Sequence, residues 1–142
     1  MNMADKKDLS ICRQVRICRP TNNLDEVLRF YCEGLGMQLL LRFNRDRWGY
    51  GGVILGGLGS DIHLEFTIHE GGFPGNAILP PSSDHLIVFY IITESVYHNL
   101  ISRLEGCGYF PVAAGNPHWD KDGITFQDPD GWRVVLMKKT NV

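Results

Sequence analysis

Hydrophobic and polar positions alternate most regularly over residues 61–69 (DIHLEFTIH), where Ile62, Leu64, Phe66 and Ile68 fall on one side and His63, Glu65 and Thr67 on the other. This is the period of a strand, with one face apolar enough to need a covering helix and the other free to meet water, a ligand or a metal. Residues 11–19 alternate more loosely and predict a first strand that ends at Pro20, with Gln14, Arg16 and Cys18 sharing a face. Leu24, Val27, Leu28 and Tyr31 follow at helical spacing, behind Asn23 and Glu26 in a capping-box arrangement. Gly34 and Gly36 stop that helix. Strands are predicted at 37–43, 48–55 and 62–69, joined by the polar turn 44–47 and the glycine-rich stretch 56–60.

Residues 70–83 (EGGFPGNAILPPSS) hold three glycines and three prolines and predict an extended crossing between two halves. A strongly apolar strand is expected at 85–92, then a second amphipathic helix with Val96, Leu100, Ile101 and Leu104 on one face. That helix too stops at glycine: EGLGM at 33–37 closes the first and EGCGY at 105–109 closes the second, 72 residues on. The chain is a weak tandem repeat, with a first module at about 11–69, the linker at 70–83 and a second module at about 84–140 within one domain. The second copy continues with strands at 110–114, 124–127 and 132–138. Asp128-Pro129-Asp130-Gly131, which joins the last two, has the residue types of a tight hairpin.

Length and composition agree with one globular domain: 142 residues, 44% hydrophobic and 21% charged, are enough for a sizeable core. Fourteen Lys and Arg against sixteen Asp and Glu give a formal charge of -2, which argues against a nucleic-acid or anionic-membrane partner. The four cysteines show no Cys-x-x-Cys spacing and are expected to be reduced, with Cys107 a packing residue at a helix end. No apolar run approaches the roughly 20 residues of a membrane span. The polar first ten or so residues, expected to fray, lack the apolar centre of a secretion signal, so a cytoplasmic protein is expected. Ser60, Ser82 and Ser83 stand in no nucleophile elbow, and no Gly-Lys-Ser/Thr follows the glycines at 51, 52, 56, 57 and 59.

Four stretches, in order and over nearly the whole chain, carry a family resemblance: NLDEVLRFY at 23–31 running into Gly34-Leu35-Gly36, LEFT at 64–67, DHLI at 84–87 and DPDG at 128–131. Together they resemble the vicinal-oxygen-chelate superfamily of glyoxalase I, bleomycin-resistance proteins and extradiol dioxygenases. The resemblance implies an α+β fold of two tandem βαβββ modules forming a curved mixed sheet with a concave cleft. The same order of elements would also suit an open ferredoxin-like sandwich. Metal-dependent members of the superfamily place one ligand on the first and one on the fourth strand of each half. Those places fall on Arg16, Glu65, His85 and Val135, of which only Glu65 and His85 can ligate. If the first and fourth strands are neighbours, as the resemblance implies, Arg16 is expected to pair bidentately with Glu65 where a metal would sit. A one-residue slip offers Val15, Ile17 or Val134, none of them a ligand, and only Gln14 or His63 could restore a site.

Two functions follow. The first is metal-independent binding of a small molecule in the concave cleft, with no cofactor. Arg16 would hold its carboxylate or phosphate, Trp48, Tyr50 and Trp119 would form aromatic walls, and Phe73 and His118 would lie near the rim. The second is a divalent-metal-dependent lyase or dioxygenase acting on a vicinal-oxygen substrate, in which Glu65 and His85 meet across the cleft to hold the ion. Beside both stands the plainer expectation of an ion pair and a hydrogen-bonded histidine. No catalytic residue is assigned, and a homodimer is an expectation from the superfamily.

Overall fold

The computed structural model describes residues 8–57 and 62–138. The start of the N-terminal tail and most of the turn expected at 56–60 fall outside them. A single 3₁₀ turn, Asp8–Ile11, replaces the beginning of the predicted first strand, and β1 runs over Val15–Pro20. Helix α1 begins at Leu24–Leu28 and runs on as a π-helical stretch, Arg29–Gly34. Strands β2 (Gln38–Phe43), β3 (Tyr50–Gly56) and β4 (Ile62–His69) complete the first half. The crossing contains one helical turn, α2 (Gly75–Ile78), which the prolines on either side confine to four residues. The second half is β5 (Leu86–Tyr90), α3 (Glu94–Gly106), β6 (Gly123–Gln127) and β7 (Arg133–Met137). Among the described residues no helix is long and apolar enough to cross a membrane.

The halves form two mixed sheets, ordered β1-β4-β3-β2 and β5-β7-β6. In each, the first strand runs parallel to the last, as a βαβββ module requires. The strand predicted at 110–114 is reduced to one bridge, Val112 to Thr125. Pro111 has no amide to extend a ladder, and the Ala113 carbonyl accepts a hydrogen bond from Arg133 Nη1 at 2.8 Å instead.

One face of each sheet is covered by the paired helices. Leu64 and Phe66 from β4, with Val53 and Leu55 from β3, pack with Val27, Phe30 and Tyr31 of α1. Phe126, Val134 and Leu136 meet Tyr97, Leu100 and Leu104 of α3 in the same cluster. The helices cross closely at Gly34, where a Cβ would lie 2.5 Å from Leu104 Cδ2. Each also caps the end of the other: Arg29 Nε donates to the Cys107 carbonyl at 3.3 Å, and Arg103 Nε to the Gly34 carbonyl at 3.1 Å. A cation beside the unpaired carbonyls of a helix C-terminus is favourable, and the repeat supplies one in each direction. Gly36 (φ 77°) and Gly108 (φ 92°) make the left-handed turns that end the two copies.

A buried polar node joins the halves. Arg19 lies on the helix-facing side of β1 and donates through Nη2 to the Tyr31 hydroxyl at 2.8 Å, and Tyr31 donates to Asp128 Oδ2 at 2.7 Å. Arg19 Nη1 is 3.5 Å from the same carboxylate oxygen and has no hydrogen bond of its own among the described residues. The guanidinium also lies over the Trp132 ring, 4.6 Å from its centroid. The other oxygen, Asp128 Oδ1, accepts from the amides of Asp130 and Trp132, both at 2.9 Å, which shapes the Asp-Pro-Asp-Gly hairpin. The predicted capping box is not formed: the Asn23 side chain makes no cap bond and donates instead to Asp130 Oδ1 at 2.9 Å. First strand, first helix and last hairpin are thus held through one set of charges.

Candidate functional site

The faces turned away from the helices differ between the two sheets. On the first, the register sets Arg16 beside His63 and Cys18 beside Glu65, with Ile54 on the far side of Glu65 and Leu41 beyond it. Glu65, Thr67 and His69 follow along β4, and Ile54, Gly52 and Tyr50 along β3, on this same face. The result is a shallow floor of Ile54, Leu41 and bare glycine, with charged groups at one end and aromatic rings at the other.

At the charged end Arg16 Nη1 lies 3.3 Å from Glu65 Oε1. The contact is single where a bidentate fork was expected. The Arg16 side chain is 39% exposed and Glu65 16%. Such a pair is worth on the order of 1 kcal/mol or less, so it orients the two groups more than it stabilises the fold. Among the described residues most of the five guanidinium N–H donors of Arg16 have no other partner. The Cys18 thiol lies beside Glu65 in the strand register. Partial burial pushes its pKa up, the neighbouring carboxylate adds to this and Arg16 works against it, so Cys18 is a neutral thiol and not a nucleophilic thiolate. Gln14 Nε2 and His63 Nδ1 hydrogen-bond to each other at the rim, so neither turns to Glu65.

The aromatic end starts at Tyr50, about 13 Å along the strand from Ile54. Its ring meets His69 edge-on at 4.5 Å and lies 6.4 Å from Phe73. Both ring nitrogens of His69 face carbonyl oxygens, Nδ1 that of Glu70 at 2.7 Å and Nε2 that of Trp48 at 2.9 Å. Trp48 lies in the turn before β3, 62% exposed, with the Arg47 guanidinium over its ring at 4.1 Å. Tyr50 is therefore on the same face as Arg16 and Glu65, and Trp48 is beyond its edge.

The second sheet offers no such floor. Thr125, Val135 and Met137 on its corresponding face are all buried. The connection from α3 to β6, including a 3₁₀ turn at Pro117–Asp120, lies over them. Trp119 in this segment shares with Leu86, Thr125 and Arg133 a gap too small for a water molecule. It fills the second half and is not a wall facing Glu65. The segment also carries His118, whose ring lies edge-on to Trp119 at 4.9 Å.

His85 departs furthest from expectation. Leu86 and Val88 pair with Arg133 and Val135, so the open face of β5 belongs to the even-numbered residues and His85 falls on the other side. Its Nδ1 hydrogen-bonds to Ser82 Oγ at 2.9 Å and its ring stands edge-on to Trp132 at 6.4 Å. Among the described residues His85 makes no hydrogen bond or ion pair with Glu65. Among the described residues no three His, Cys, Asp or Glu side chains come together as a set that could hold a metal ion. With Arg16 and Val135 at the other two places, the donors present do not fit a three-ligand divalent centre.

A family model described as the YycE-like N-terminal domain matches residues 15–67, and one described as the YycE-like C-terminal domain matches residues 84–138. The chain is 42% identical over 129 residues to the protein YycE of Bacillus subtilis (strain 168), covering 91% of this chain and 90% of that protein. A crystal structure of YycE from Bacillus subtilis matches with a TM-score of 0.81 at 42% identity and covers 92% of both chains. Two more distant structures share the fold. The trypanothione-dependent glyoxalase I of Leishmania major matches with a TM-score of 0.65 at 20% identity, covering 89% of this chain and 86% of its own. TnmS3, an antibiotic-binding protein from Streptomyces sp. CB03234, matches with a TM-score of 0.62 at 21% identity, covering 92% and 98%.

Proposed function

The chain belongs to the YycE-like family of the vicinal-oxygen-chelate superfamily, and on that premise we propose that it binds a small molecule, without a metal, on the open face of the first sheet. One observation carries this reading: the Arg16–Glu65 pair at 3.3 Å occupies the place where the superfamily resemblance would put two metal ligands. A fixed guanidinium with free donors does for an anionic ligand what a metal ion does for vicinal oxygens, since each supplies a localised positive charge to oxygen atoms. The ligand class is a carboxylate or phosphate attached to a flat apolar body. Its anion would meet Arg16, its body would lie over Ile54 and Gly52, and its far end would reach Tyr50 and Phe73. TnmS3, an antibiotic-binding protein, shares this fold, so a binding role is an analogy at the level of the fold.

The test is calorimetric titration of chelator-stripped protein with zinc, nickel, manganese and iron(II), repeated on Arg16→Ala. No tight binding to the wild type is expected, whether or not Arg16→Ala gains any. One tight equivalent on the wild type, lost on Glu65→Ala or His85→Ala, would overturn the proposal in favour of a metal-dependent lyase or dioxygenase.

A further inference from the structure

Strands β1 and β5 are each the end strand of their sheet, with one edge unpaired among the described residues. A cleft of about 680 Å³ follows the edge of β5 and is walled by Ile17, Leu64, Ile87, Phe89 and, from α3, Val96 and Leu100. This is within the size range of small-ligand sites. Among the described residues one cation borders it, Arg103. Its Nε is taken by the Gly34 carbonyl, but among the described residues no acidic side chain pairs with its charge. Ile17, Val96 and Tyr90 along this cleft are exposed, at 41%, 45% and 38%.

We infer that the cleft along the free edge of β5 is a second binding site, for a small amphiphile with an apolar body and one anionic head, the head meeting Arg103. The chemistry is complementary in both parts. An alkyl or aryl body removes the exposed Ile17 and Val96 from water, and a carboxylate gains a charge-assisted hydrogen bond beside an apolar wall, where such a bond is stronger than in open water. The site shares neither Arg16 nor Glu65 with the open face of the first sheet, and it stands whether or not that face binds a ligand.

The probes are octanoate and its uncharged counterpart octanol, titrated by calorimetry into the full chain. Octanoate is expected to saturate at one equivalent. Arg103→Gln should weaken octanoate by at least about tenfold, the loss of one charge-assisted bond, and leave octanol unchanged. Arg103→Lys should restore most of the octanoate binding. Val96→Trp, which fills the cleft from an exposed helix position, should abolish both. Circular dichroism and melting curves confirm that each variant is folded. Arg16→Ala, which disables the open face of the first sheet, should leave octanoate binding as it is. Absence of saturable binding would overturn the proposal, as would indifference to Val96→Trp or a loss that follows Arg16→Ala in place of Arg103→Gln. A wild-type dimer that Val96→Trp dissociates, without octanoate binding, would overturn it in favour of a second copy of the chain in the cleft.

Discussion

Replacing Tyr31 by Phe removes one oxygen from the interior and keeps the ring, which is fully buried between Phe30 and Phe66 at centroid distances of 4.8 and 5.0 Å. That oxygen makes two hydrogen bonds to charged groups, accepting from Arg19 and donating to Asp128. Each such bond contributes about 1.5–3 kcal/mol, and their loss is offset in part because the hydroxyl no longer has to be desolvated. A net cost of about 3 kcal/mol is expected, roughly 150-fold in the folding equilibrium and on the order of 10 °C in melting temperature. The pH dependence is specific. Burial pushes the Asp128 carboxyl above its ordinary range, while the Tyr31 and Arg19 contacts and the Trp132 and Asp130 amides pull it back. Such a raised group gives stability that is full below its unfolded value and is lost as the pH rises through its folded value. Removing the Tyr31 hydroxyl raises the folded value further. The Tyr31→Phe penalty should therefore be larger at about pH 8 than at about pH 4.5, where Asp128 takes up its proton more readily. Urea unfolding followed by tryptophan fluorescence measures this, with Trp132 over Arg19 as the local reporter. In an Asp128→Asn background the penalty should fall by about half, since one of the two charged partners is gone. A loss under about 1 kcal/mol, or one equal at both pH values and in both backgrounds, would refute the claim that the hydroxyl couples these charges.

Gly34→Ala should cost about 1–3 kcal/mol, because the new methyl collides with Leu104 and the helices must part, and Leu104→Ala in the same chain should make it nearly neutral. Melting temperatures of the two single variants and the double variant decide this. The Tyr109 phenol, pushed up to about 12 by burial and by its hydrogen bond to Glu26 at 2.9 Å, should titrate well above the ordinary value, as followed by ultraviolet absorbance. Glu26→Gln should bring it back toward about 10. By the same sign rule, the stability from Tyr109 is full below its ordinary value and disappears as the pH climbs toward about 12.

Glu65 was legible in the sequence because strand alternation fixes a face, and β4 kept the predicted bounds, Ile62–His69. Its partner Arg16 followed only from the neighbourhood of first and fourth strands that the superfamily resemblance supplied. Arg19 carried a sign that went unread. A lone charge on the side of β1 that Ile17 shares must find a buried partner, and that partner, Asp128, is on a hairpin whose turn chemistry already accounted for it. His85 was placed by motif, but the face of a strand residue depends on ladder register. The pairing of Leu86 with Arg133 turns His85 away from the open face. Trp119 lies beyond what alternation can place, since alternation reports which face of a strand is apolar, not whether a distant connection lies over it.

The two halves share the same helices, glycine stops and reciprocal arginines, but their open faces differ. On the first, charge and bare glycine remain. On the second, Val135 stands where a carboxylate would, and the segment carrying Trp119 lies over it. These two changes are linked. A buried carboxylate under that segment would need a cation or several donors to offset its desolvation, and Thr125 beside it already has a hydroxyl without a partner among the described residues. Valine is what the cover tolerates. The superfamily resemblance implies a metal centre that draws ligands from both halves, and Val135, buried at the place it implies in the second, has no donor atom. A ligand held by Arg16 needs only the first face. If the cover came first, Val135→Glu alone should destabilise the protein rather than create a metal site. Thermal melts with and without zinc would show a lower melting temperature that the ion does not restore.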